Sequence, residues 1–141
     1  MKKVVLSVLL MMFILTGCGK KMETVNCKIN KETTGVTING DLIVKIDGNK
    51  FDSIKLVMDA VIGDDYLSFK EQFIDAFEAQ FKDFDKNYGV KPVIKETSKG
   101  AQITISMTSS QAKEFYGSEN NKEVTKEEVI NTFTKQGYTC E

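Results

Sequence analysis

With 141 residues, 41% hydrophobic and 28% charged, the chain has the size and composition of one folded domain. Its basic residues are all lysine, and His, Arg and Trp are absent, which removes imidazole bases, imidazole metal ligands and bidentate phosphate forks. A net charge of −1 without a basic stripe argues against nucleic acid as a partner.

Lys2 and Lys3 precede an apolar run, Val4 to Leu15. That run is too short to cross a bilayer as a helix and suits the apolar region of an export signal. It ends Leu15-Thr16-Gly17-Cys18, which resembles the lipobox of bacterial lipoproteins. The resemblance implies cleavage before Cys18 and acylation of its sulfur and of the new amino group. Small residues there let the backbone enter an enzyme working at the membrane surface. Two or more acyl chains, at about 0.8 kcal/mol per buried CH₂, hold a protein stably where one does not. The expected organisation is a signal peptide over 1–17, a lipidated tether over 18–24, and one domain over 25–141. Loss of Lys2 and Lys3 takes the net charge from −1 to −3. The expected location is the outer face of the cell membrane.

Cys27 and Cys140 remain, 113 positions apart. In an oxidising compartment an even pair reads as a disulfide worth about 2–4 kcal/mol. The alternative is two free thiols, one buried in a strand and one at a frayed end.

Val25, Cys27 and Ile29 alternate with polar residues, the period of a half-buried strand. Val36, Ile38, Leu42, Val44 and Ile46 continue the pattern, interrupted at Asn39-Gly40 by a turn or a bulge. A hairpin is expected at 46–51, and the return strand carries Ile54, Leu56, Met58, Ala60 and Ile62 on one face. Val57 and Val61 on the other parity suggest partial cover on both faces. Tyr66, Phe69, Phe73, Phe77, Phe81, Phe84 and Tyr88 then fall three or four apart, one stripe of a helix. Ser68 with Glu71 offers a capping box, and Gly89 closes the helix. The stripe either forms the core or lines a cavity for a lipid, peptide or small molecule.

A second hairpin follows around Ser98-Lys99-Gly100, with Pro92 favouring an edge strand. The segment 109–122 is polar and irregular, with one helical turn at most. Thr125 and Glu128 cap a last helix whose apolar face is Val129, Ile130 and Phe133 and which stops at Gly137. The order β-β-β-α-β-β-α predicts an α+β fold, an antiparallel sheet with a long Phe-rich helix and a C-terminal helix packed on it. The lipobox, "NCKI", "KIDGNKF", "VKPVIKETSKGAQITISMT" and "GYTC" together resemble small lipoproteins of low-GC Gram-positive bacteria, akin to the YehR-like lipoprotein family. That resemblance implies an antiparallel sheet with helices and no agreed activity.

Catalytic and metal motifs are weak. Asp83, Asp85 and Asn87 begin like a calcium loop, but Tyr88 stands at the glycine position and Ile94 at the bidentate glutamate. Ser110-Gln-Ala-Lys113 matches S-x-x-K without its companion elements. Asp64-Asp65, with Asp59 nearby, reads as a carboxylate pair or as ordinary acidic residues before a helix. No catalytic, cofactor or metal residue is therefore assigned. The expectation is a non-enzymatic, lipid-anchored binding module for a small molecule, a peptide or an envelope protein. The alternatives are a structural accessory subunit of an envelope complex and a small carboxylate-dependent hydrolase.

Overall fold

The structure, a computed structural model, describes residues 21–116 and 123–141. Strands β1 (Met22–Thr33), β2 (Val36–Asp47) and β3 (Lys50–Ile62) form a meander. A 3₁₀ turn (Asp64–Phe69), helix α1 (Lys70–Phe81) and helix α2 (Phe84–Tyr88) follow. Strands β4 (Val93–Thr97) and β5 (Gly100–Thr108) make the second hairpin. Helices α3 (Ser109–Tyr116) and α4 (Lys126–Lys135) and the short strand β6 (Thr139–Cys140) complete the α+β fold. The sheet order is β4-β5-β3-β2-β1-β6, with every neighbouring pair antiparallel.

Strand parity sorts the two faces. Cys27, Leu42, Leu56 and Ile105 lie in one cross-strand row, and Val25, Val44, Ile54 and Met107 in the next. These side chains pack with Ile74 and Phe77 of α1, Ala112 of α3, and Val129 and Phe133 of α4 in one core. The opposite parity carries Asn26, Ile43, Lys55 and Ser106, all exposed. The molecule is thus two layers, with the helices on one face of the sheet. Among the described residues, no element covers the other face. The cover suggested by Val57 and Val61 is missing: Val57 is half-buried and Val61 is 38% exposed.

Asn39-Gly40 is neither a turn nor a bulge. Both residues pair in register with Asn30-Ile29 of β1 and with Asp59-Met58 of β3. Gly40 stands on the core face, where a Cβ would lie 2.8 Å from Ile29 Cγ2. It makes room for its cross-strand neighbour, so the apolar alternation skips a beat without changing phase. The irregularity sits instead between Lys45 and Ile46: Lys45 faces Ser53, Ile46 faces Phe51, and Asp52 is the extra residue. This bulge shifts the parity of β3 and turns Phe51 into the core, 2% exposed.

The Phe-rich segment is three pieces rather than one helix. The N-cap of α1 is Phe69, with no side-chain cap, so the Ser68–Glu71 box does not form. The 3₁₀ turn before it is started by Tyr66 N donating to Gly63 O at 2.9 Å, and it ends with Lys70 N donating to Leu67 O. A break at Lys82-Asp83 separates α1 from α2, which ends on Gly89 in the left-handed region. Segment 109–116 is a two-turn helix, not an irregular loop, and residues 117–122 lie outside the description. Thr125 does cap α4, accepting from Glu128 N at 3.2 Å. Val124 and Val129, both buried, occupy the positions of a hydrophobic staple around that cap.

Candidate functional site

Cys18, the lipidation residue read from the sequence, lies outside the described residues. The strand after it begins at Met22, three residues before Val25, where the domain was expected to begin. Lys21 is already tied to the domain, since Gly48 N donates to its carbonyl at 3.3 Å. Cys27 and Cys140 face each other across β1 and β6 and form a disulfide, with an S–S distance of 2.00 Å. Asn26 and Glu141 exchange two backbone hydrogen bonds of 2.9 Å beside it. Together these contacts close the C-terminal strand onto the first one.

The aromatic stripe divides into two parts. Phe73, Phe77, Phe81, Phe84 and Tyr88 contact one another in sequence, with ring centroids 4.8–6.2 Å apart. Phe115 of α3 joins Phe84 at 5.9 Å and Tyr88 at 5.5 Å. Phe77 lies in the core, and the other rings, partly buried, pack against it. Such edge and offset contacts stabilise by about 0.5–1.5 kcal/mol per pair beyond area burial.

Tyr66 and Phe69 do not join them, and are 42% and 56% exposed. They stand three apart on the 3₁₀ turn, where positions i and i+3 eclipse and share a face. The turn is braced from three sides. Gly63 N donates to Gly35 O at 2.8 Å, Lys99 pairs with Asp64 at 2.8 Å, and Lys70 pairs with Glu96 at 2.7 Å. Gly35, at φ +83°, lies directly under the Tyr66 ring. Two aromatic side chains are thereby held outward at one end of the sheet. The three-to-four spacing alone placed them in the buried stripe; the signal available in the sequence was Gly63-Asp64-Asp65, which starts the turn too early for a helix.

The uncovered sheet face carries a polar row across five strands, Asn30–Asn39–Asp59–Gln102–Lys95. Asn30 Nδ2 donates to Asn39 Oδ1, and Gln102 Nε2 donates to Asp59 Oδ1 at 2.8 Å. Asp59 is thus engaged within the sheet while Asp64 pairs with Lys99, so the structure does not bring Asp59, Asp64 and Asp65 together as a site. Asp83 is the N-cap position of α2 and Tyr88 packs in the core, which leaves no calcium loop. Ser110 is exposed at the start of α3, with its hydroxyl 3.4 Å from Thr108 Oγ1. Among the described residues no charged side chain is buried and no three metal-ligating side chains converge. None of the described helices is long and apolar enough to cross a membrane.

At the opposite end from Tyr66, a surface cleft of about 350 Å³ is lined by Asp47–Asp52 and Ser109. Ser109 Oγ donates to Phe51 O at 2.5 Å, Val124 N donates to Asn49 O at 2.9 Å, and Asn49 Nδ2 donates to Glu123 Oε1 at 2.7 Å. These bonds hold the β2–β3 turn against the starts of α3 and α4. Tyr138, half-buried, has its pKa raised above 10.0 by desolvation; its ring lies 5.7 Å from that of Phe133. It belongs to the packing of α4 and not to a site.

In comparisons with known proteins, no family model, no curated protein and no solved structure matches the chain significantly.

Proposed function

We propose that the chain is a lipid-anchored extracytoplasmic lipoprotein that works by binding a protein partner at the cell envelope. The observation that carries the anchor is Leu15-Thr16-Gly17-Cys18 directly behind the basic start and the Val4–Leu15 run. The Cys27–Cys140 disulfide supports it, because such bonds persist in oxidising compartments.

Tyr66 and Phe69 support a protein as the partner. Exposed aromatic rings on a braced turn supply large contact area at low entropy cost, the property of interface anchors. The reading of the Phe stripe as a cavity lining loses its ground, since Phe77 is in the core and Phe73, Phe81, Phe84 and Tyr88 pack against it. The hydrolase alternative also loses its motive, because every described Asp and Glu is exposed or half-buried.

Replacing Cys18 by Ala tests the anchor. Wild-type protein is expected in the membrane fraction in a processed form, and Cys18→Ala unprocessed or released. A variant still cleaved and fully membrane-retained would overturn the reading. For the binding half, in-cell cross-linking is expected to give an adduct that Tyr66→Ala with Phe69→Ala abolishes; an unchanged adduct would contradict the assigned surface.

A further inference from the structure

The end of the sheet that emerges next to the anchor has a surface of its own. Lys21, Met22 and the β2–β3 turn lie together: Met22 pairs with Asp47, and Gly48 N is bonded to Lys21 O. Met22 is 53% exposed, and Lys21, Gly48, Asn49 and Lys50 are all exposed around it. Of the acidic groups nearby, Glu23 lies 3.7 Å from Lys21 Nζ, Glu123 accepts from Asn49, Asp52 accepts from Ser53 Oγ at 3.1 Å, and Asp47 is half-buried at the base of the turn.

Cys18 stands four residues before Met22, and four residues reach at most about 14 Å when fully extended. The polar headgroup layer of one leaflet takes up about 5–7 Å of that. The first strand therefore begins within several ångströms of the lipid surface. β1 has 12 residues and spans about 40 Å. Its far end, at Thr33 and the Gly35–Tyr66 contact, is the end the leash does not reach.

We propose that Met22 and the Asp47–Lys50 turn form a membrane-contact surface, seated on the headgroup layer that holds the anchor, with the sheet standing away from the bilayer. The proposal rests on the lipid-anchor reading given above. Its ligand is the phospholipid surface: an exposed apolar Met22 enters the interfacial zone while the flanking Lys21 and Lys50 meet phosphate oxygens. The consequence is orientation. Tyr66 and Phe69 are presented outward, at the end furthest from the lipid, where a partner protein has access. The roughly 350 Å³ cleft behind the turn then faces the membrane and is not open to the exterior.

The absence of Trp from the chain makes a direct test available. The lipidated protein is purified with its anchor, placed in phosphatidylglycerol–phosphatidylcholine vesicles carrying a dansyl headgroup, and studied with one Trp at a time. Asn49→Trp and Thr34→Trp report the two ends of the sheet; Lys50→Trp and Ser98→Trp repeat the comparison should either of the first pair fail to fold. Energy transfer to dansyl is expected to be at least threefold greater from position 49 or 50 than from 34 or 98. Equal transfer from both ends, as for a domain lying on its side, would overturn the proposal. Intact mass keeps the two readings apart. Lipid present on Cys18 with equal transfer refutes the orientation alone, whereas a Cys18 without lipid refutes the anchor and the orientation together.

Discussion

Tyr66 lies over Gly35 so closely that a Cβ on Gly35 would fall 2.6 Å from Tyr66 Cδ2. The contact joins the β1–β2 turn to the 3₁₀ turn after β3 and holds an exposed aromatic in place. Gly35→Ala meets both the ring and a backbone at φ +83°, so it should lose about 1–3 kcal/mol. Thermal denaturation should show a lowered Tm, and an unchanged Tm would mean that the contact does not brace the turn.

Phe77 and Phe69 belong to one sequence stripe but to different environments, 8% and 56% exposed. Phe77→Ala should therefore destabilise by about 3–5 kcal/mol, while Phe69→Ala should stay within about 0.5 kcal/mol. Equilibrium denaturation of the two variants separates the cases. Comparable losses would show that the segment packs as a single helix after all.

That division separates what local sequence dictates from what tertiary contacts decide. Strand parity over β1, β2 and the Ile54–Ile62 part of β3, with the caps at Thr125 and Gly137, follows from local rules of alternation and capping, and the folded chain obeys them. The pairing of Asn39-Gly40 does not: a glycine between apolar positions reads as a turn unless its cross-strand neighbour is known to be Ile29. Likewise the bulge at Asp52 turns Phe51 inward through its pairing with β2, a long-range constraint with no local signature. The helical period at Tyr66 and Phe69 is real, yet that stretch folds as a 3₁₀ turn, bonded at its start by Gly63 N to Gly35 O, and both rings are exposed. Candidate surfaces depend on such contacts, whereas Cys18 stands out because its context is linear.

The Cys27–Cys140 bond closes a loop that contains nearly all of the fold. Reduction should lower stability by about 2–4 kcal/mol through the greater freedom of the unfolded chain. Wild-type protein should melt at lower temperature with reductant, and Cys27→Ser with Cys140→Ser should melt low regardless. An insensitive wild type would remove the disulfide from the account of stability.

Burial raises the pKa of Tyr138 above 10.0 in the folded state. The folded protein then holds this proton more tightly than the unfolded chain does. Stability from this source is fully present below pH 10 and is lost as pH rises through the folded value. Tyr138→Phe should flatten the alkaline part of the stability profile above about pH 10 relative to wild type. Parallel profiles would show that the hydroxyl is solvated in the folded protein.

The most direct single measurement is the intact mass of the protein extracted from membranes of cells expressing the full chain. The account predicts a chain beginning at Cys18, heavier than its sequence by a diacylglyceryl group and an N-terminal acyl chain, with Cys18→Ala lacking that mass. A chain that retains Met1 and carries an unmodified Cys18 would contradict it, and with it both the anchor and the oriented domain.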